Sequence, residues 1–147
     1  MADIEMVVPL ANRILRLALI HTGEATPKLR LFKSPFTVDE LTTEADLVAI
    51  EADCDGYTVG GFALTFTTGY ITPDLVPSNE SNLVSIIMPN PVVVPNTIYG
   101  GWISNPSGAL MVFNLPLPVA LTQPGNALKI VVEDSYPPGV PSVQVVP

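Results

Sequence analysis

The side chains able to do chemistry are few, and half of the acids among them sit in one stretch. Asp46, Glu51, Asp53 and Asp55 lie close together, and Asp53-Cys54-Asp55-Gly56 has the acid, acid, glycine spacing that opens a calcium loop. The series lacks a third spaced oxygen residue and a bidentate Glu at the right offset. A solvated loop therefore explains it better than partner contact, and partner contact better than a metal site. Cys54 is the only cysteine, and its neighbours Asp53 and Asp55 oppose formation of a thiolate, so it reads as a small, partly buried residue. His21 is the only histidine and has no Ser-His-Asp or Cys-His set to complete; a surface position at a helix end explains it.

Beyond the acidic stretch Glu133 and Asp134 are the only adjacent carboxylates, at an expected strand end where both face water, which is not the geometry of a glycosidase pair. Asn79-Glu80-Ser81 matches a glycosylation sequon, a match that is common by chance. Tyr57, Tyr70, Tyr99 and Trp102 could line a sugar-binding face, with Tyr99 and Trp102 as the candidate glycan shelf. At 7% aromatic content, core packing and strand pairing account for them better. No catalytic, cofactor-binding or metal-binding set emerges, and the expectation is a protein that is not an enzyme and carries no cofactor.

The elements that must position these residues are short. The chain has 147 residues, 48% of them hydrophobic and only 14% charged, against a usual charged share of about 25%. That is one domain with a real core, and not a chain disordered by excess charge. Sixteen prolines make long helices improbable, because each removes a backbone donor and fixes φ. Pro89, Pro91, Pro95, Pro106, Pro116 and Pro118 also interrupt the richest apolar region, so no run approaches the ~18 to 20 residues of a membrane span. Met1 to Met6 lacks a basic n-region and Leu10 to Ile20 contains Arg13 and Arg16, unlike a signal peptide; synthesis in a reducing cytoplasm is expected.

Net charge is −8, with Arg13, Arg16, Lys28, Arg30 and Lys33 before position 34 and seven acids between Asp39 and Asp55. From Ser81 to Leu128 there is no charged residue at all. Nucleic acid is a poor partner for such a chain, since beyond position 33 it offers only Lys129 to neutralise phosphates.

Leu10, Ile14, Leu17 and Ala18 after Pro9 have helical spacing, and Gly23 stands just beyond them. A strand over Arg13 to Ile20 competes, but both of its faces would be apolar, which favours one short helix. Lys28-Leu29-Arg30-Leu31-Phe32 alternates as a half-buried strand. Thr37 to Asp55 reads as a long ordered loop with room for one helical turn. Phe62, Leu64 and Phe66 share one face of a strand that Gly69 breaks, and Pro73 to Asn82 reads as a polar connection.

Leu83 to Met88 and Val92 to Val94 are strand material cut by Pro89 and Pro91, and Thr97 to Ile103 is a strand whose Gly100-Gly101 admits a close backbone or a bulge. Asn105-Pro106-Ser107-Gly108 is a turn leading into Ala109 to Phe113. Gln123-Pro124-Gly125-Asn126 fits a type II turn, feeding Leu128, Ile130 and Val132 on one face. The fold expected is mainly β: an antiparallel β-sandwich, of which the jelly roll is one form, with one short N-terminal helix and extended termini. The division is an N-terminal arm over 1–27, a β body over 28–135 and a proline-rich extended arm over 136–147.

Lys28-Leu-Arg-Leu-Phe-Lys-Ser-Pro-Phe-Thr, Ala45-Asp-Leu-Val leading to Glu51-Ala-Asp-Cys-Asp-Gly-Tyr57, and Ile98-Tyr-Gly-Gly-Trp-Ile with Ser107-Gly-Ala-Leu together resemble small virion-associated proteins of tailed bacteriophages. The resemblance runs from Lys28 to Val132. Two positions depart from it: Ala49-Ile50 reads as an insertion, and Gly101 stands where an aromatic is more usual.

The resemblance implies a virion component, made in the host cytoplasm and located on the outer capsid surface. The first expectation is a decoration or cement protein that binds the major capsid protein as a homo-oligomer, trimer favoured over dimer. The apolar terminal residues Met6, Val7, Val8, Tyr136, Val140, Val143 and Val145 are the candidate partner contacts. The alternative is a receptor- or glycan-binding module of a tail or head fibre, using the shelf of Tyr99 and Trp102.

Overall fold

A computed structural model of the chain describes residues 3–5, 27–39, 41–71, 77–104, 110–135 and 142–146. They form a mostly β domain with two antiparallel sheets and one short helix. The expected helix over Leu10 to Ile20, His21 and the turn at Asn105 to Gly108 lie outside the described residues.

In the four-stranded sheet the order is β3 (Phe62–Ala63), β2 (Lys28–Phe32), β7 (Asn96–Ser104), β8 (Leu110–Leu121). The alternation read in β2 holds. Leu29 and Leu31 are fully buried on one face, while Arg30 and Phe32 point to the other. Register sets Leu31 opposite Gly101 and Phe32 opposite Gly100.

The two glycines are there because neighbouring backbone and side chains together leave no room for a Cβ. A Cβ on Gly101 would stand 2.5 Å from the Arg30 carbonyl oxygen and 2.8 Å from the Phe113 ring, and one on Gly100 would collide with the Phe113 carbonyl. An aromatic at position 101 would not fit this packing.

The six-stranded sheet runs β1 (Asp3–Glu5), β10 (Ser142–Val146), β9 (Ala127–Ser135), β5 (Pro77–Ser81), β4 (Phe66–Ile71), with β6 (Val84–Ile87) on β9 as well. β5 and β6 occupy successive lengths of the same β9 edge, Glu80 opposite Glu133 and Val84 opposite Ile130. In the gap between them the Val132 N–H donates to Ser81 Oγ at 2.9 Å, which satisfies a ladder donor and explains a buried serine.

One hydrophobic cluster joins Leu29, Leu31, Ile103, Met111 and Phe113 of the four-stranded sheet to Val84, Ile86, Leu128, Ile130 and Val132 of the six-stranded one. A second cluster, Phe32, Leu47, Trp102 and Val112, lies on the opposite face of the four-stranded sheet. There Phe36, Val38 and Ile50 from the segment after β2 cover it, so that sheet is buried on both faces.

Several expectations need correction. Phe62 to Thr67 is not one strand: the chain leaves the four-stranded sheet after Ala63 and joins the other at Phe66, with Leu64 buried at the crossing and its N–H on the Pro27 carbonyl at 2.8 Å. Gly69 does not break β4; the register with β5 shifts between Thr67 and Tyr70 instead. Part of the polar connection is a strand, β5, whose polar residues gain a ladder with β4 and β9. Val92 to Val94 is not a strand, for the backbone is tied to Asp55.

β8 runs on through Pro116 and Pro118. It is the edge of its sheet, and residues between Asn114 and Val119 form an irregularity opposite Tyr99, where missing N–H donors cost no ladder bond. The C-terminal arm is also corrected in part, because Ser142–Val146 pairs with both β9 and β1 as an interior strand. The prolines at 137, 138, 141 and 147 flank that segment and none falls inside it.

Candidate functional site

The acidic stretch that offered the most chemistry is used up by the fold. Its helical turn is α1 (Glu44–Val48), started by Thr43, whose N–H and hydroxyl both reach Asp46 Oδ2 at 2.9 Å. Those two bonds, the backbone one first, hold the Asp46 carboxyl below the ordinary carboxylate range. Asp39 Oδ1 accepts the Leu41 N–H at 2.8 Å as an Asx turn. Asp53 pairs with Lys33 at 2.8 Å and exchanges two hydrogen bonds with the Asn96 side chain. Asp55 Oδ2 accepts the N–H groups of Val93 and Val94 at 2.6 and 3.2 Å.

The segment is solvated as expected at Asp46 and Asp53, with Glu51 buried as the exception. Each of these carboxylates holds a turn, a cap or a neighbouring loop. Among the described residues no group of three or more His, Cys, Asp or Glu side chains could hold a metal ion.

Glu51 is the centre of the arrangement. Its oxygens accept Arg30 Nε at 3.1 Å and Nη2 at 2.6 Å, the Tyr57 hydroxyl at 2.7 Å and the Gly60 N–H at 2.9 Å. Arg30 Nη1 and Trp102 Nε1 both donate to Glu44 Oε1, at 3.2 and 3.1 Å, and the guanidinium lies 4.9 Å from the Trp102 ring centre. Arg30 and Trp102 are cross-strand register partners, so the β2–β7 ladder itself stacks them.

Burial pushes the Glu51 carboxyl up, but the Arg30 hydrogen bond, the Gly60 N–H, the Tyr57 hydroxyl and the Arg30 charge outweigh it, and the net shift is downward. Desolvation, with Glu51 beside it, raises the Tyr57 phenol against the opposing Leu31 N–H. The Cys54 thiol is buried and raised first by that burial and then by the charges of Asp53 and Asp55, which oppose formation of a thiolate.

The sugar-binding shelf is corrected by the same geometry. Trp102 is fully buried and stacked near Phe32, with ring centres 6.5 Å apart, and Tyr99 packs half-buried against that cluster. No stacking face of Trp102 is left for a ligand.

Of the candidate terminal contacts, Met6, Val7, Val8, Tyr136 and Val140 lie outside the described residues. Val143 stands in the β10 ladder opposite Val132 and Ile4, and Val145 is partly buried against the main core.

What the sequence reading missed is a surface at one end of the molecule. Ile87 at the end of β6 is 58% exposed and Val93 75%, and Pro89, Pro91, Val94 and Pro95 are exposed with them. The turn at Gln123–Asn126 lies alongside, since Met88 N–H donates to the Asn126 carbonyl at 2.8 Å and Gly125 N–H to the Met88 carbonyl at 3.1 Å. That turn has the expected form: Gly125 takes φ +85°, and Asn126 N–H donates to the Gln123 carbonyl at 3.1 Å.

Farther along the β8 edge, Leu117 is 78% exposed between exposed Pro116 and Pro118. Every one of these residues falls inside the charge-free stretch. The sequence signal was that stretch itself; which of its residues face water needed the sheet register.

Comparison of the chain with protein-family models, curated proteins and solved structures finds no match.

Proposed function

We propose that the chain is a structural virion protein: a capsid decoration, or cement, protein that binds the outer surface of an assembled shell as a symmetric oligomer and stabilises it. One observation carries this reading. A chain of net charge −8 keeps an exposed, uncharged apolar surface, and holds it in fixed shape with Asp55 and Asn126. Exposed apolar area of that kind marks contact with other proteins, and a surface ordered beforehand loses less entropy on docking.

The core shared by the two sheets supports a β-sandwich for the finer architecture, a fold rigid enough to serve as a clamp between neighbouring subunits. The protein works by contact, without catalysis or cofactor, in the host cytoplasm during assembly and then on the virion.

The test mixes the purified protein with expanded, undecorated capsids of its phage and sediments them. Saturable cosedimentation, with capsids that withstand more heat or chelator, is expected. No binding at saturating protein would overturn the proposal.

A further inference from the structure

We propose that the segment 33–50 is a hinged strap, latched by Glu44, that lifts off the outer face of the four-stranded sheet as a unit while the rest of the fold stays closed. Its opening uncovers Phe32, Trp102 and Val112.

The two ends of the segment meet. Lys33 N–H donates to the Ile50 carbonyl and Ala52 N–H to the Leu31 carbonyl, both at 2.9 Å, with Phe32 and Glu51 as bridge partners between them. The neck is therefore a piece of antiparallel ladder, tightened by the two bonds from Arg30 to Glu51 and by the Lys33–Asp53 pair. A loop whose ends are held together can leave its bed without pulling on either neighbour, as an Ω-loop does.

Little ties the middle of the segment down. Among the described residues, every hydrogen bond of 34–49 but two stays inside the segment or its neck: the turn at Asp39, the cap of Thr43 and Asp46, and the turns of α1. The two that cross both end on Glu44 Oε1, from Arg30 Nη1 at 3.2 Å and Trp102 Nε1 at 3.1 Å. One carboxylate is thus the polar latch, and its side chain is 34% exposed, where water can take its place.

The remaining hold is apolar. Leu47 is fully buried, and Phe36, Val38 and Ile50 partly so, against Phe32, Trp102 and Val112. The cluster that joins the two sheets contains no residue of 33–50, so lifting the strap leaves that core whole. An element held by one small cluster and one latch opens at lower free energy than the whole fold. Closed, the strap presents the exposed Asp39 and Asp46 to water; open, the molecule offers three apolar side chains in a row across β2, β7 and β8.

The experiment is native-state hydrogen exchange of the full chain, followed by NMR, for the wild type, Glu44→Ala and Glu44→Gln. The probes are the amides of Asp46, Ala49 and Ile50 in the strap, the Trp102 indole N–H beneath it, and the ladder amides of β7 and β8 as the reference for global unfolding. In the wild type the strap amides and the indole should exchange together, at least about tenfold faster than the ladder. Glu44→Ala should speed them about tenfold more, the worth of one charge-assisted hydrogen bond, with the ladder rates unchanged within about twofold. Glu44→Gln keeps an accepting oxygen for both donors and should lie between the two.

Strap amides that exchange only at the rate of the ladder would overturn the inference. So would a Glu44→Ala variant that speeds strap and ladder alike, which would make Glu44 an ordinary contributor to global stability, or one that speeds neither.

Discussion

Replacing Glu51 by Gln tests the centre of the structure with almost no change of shape. Gln can keep accepting the Tyr57 hydroxyl and the Gly60 N–H, now 2.7 and 2.9 Å from Oε1. Its amide group, however, would face Arg30 Nη2 where a carboxylate oxygen now sits at 2.6 Å, donor against donor. The Arg30 and Glu51 side chains are only 16% and 4% exposed, so water cannot take the lost place.

Removing one partner of a buried ion pair costs about 3–5 kcal/mol. Arg30 retains Glu44 at 3.2 Å and the Trp102 face, which places Glu51→Gln near the lower end, about 3 kcal/mol. Urea unfolding followed by Trp102 emission reads this directly, because the only tryptophan stacks on the same guanidinium. The midpoint should fall with the slope unchanged.

The double variant Arg30→Met with Glu51→Gln should recover much of the loss, since no unpaired charge then remains buried. A cost below about 1 kcal/mol for Glu51→Gln, the value of an exposed pair, would refute the reasoning.

Leu64→Ala, at the crossing between sheets, should cost about 2–5 kcal/mol in denaturant melts, and a change under about 0.5 kcal/mol would mean that Leu64 is not part of the core. Gly101→Ala should lose about 1–3 kcal/mol through overpacking against Arg30 O and the Phe113 ring; an unchanged melting temperature would show that the ladder relaxes freely. In acid, stability should fall. The Glu51, Asp46 and Asp53 carboxyls are held below their ordinary values in the folded chain, so their contribution is full above the unfolded carboxylate pKa and is lost as pH drops through the folded values. Urea midpoints across that range should show it, with a shallower decline for Glu51→Gln.

The readable parts of the chain were those where a local rule suffices. Strict alternation in Lys28–Phe32 and in Leu128–Val132 gave the right buried faces, and Pro124-Gly125 gave the right turn. The paired glycines at 100 and 101 announced a close backbone approach, which the Cβ collisions at both positions bear out. Misreadings arose where a residue's partner is distant in sequence. Asp55 and Val93, Asp53 and Asn96, and Glu44 and Trp102 are each dozens of residues apart, and nothing near any of them shows that a bond will form.

The strand expected to end at Phe113 runs on to Leu121, past two prolines at the edge of a sheet. Proline disrupts a strand by removing a ladder donor, and Pro116 and Pro118 sit where the ladder is interrupted.

Composition and periodicity alone determined that this is a β protein with a long charge-free stretch, because turn residues and alternation act over a few neighbours. Tertiary structure decided what that composition is for. Only the sheet register turns Trp102 inward beneath Arg30 and leaves Val93 and Leu117 in water, and only the folded loops spend the carboxylates on N–H groups and cations far along the chain. The physical reason is that burial and charge pairing depend on distances in space, which the order of residues constrains only through the completed fold.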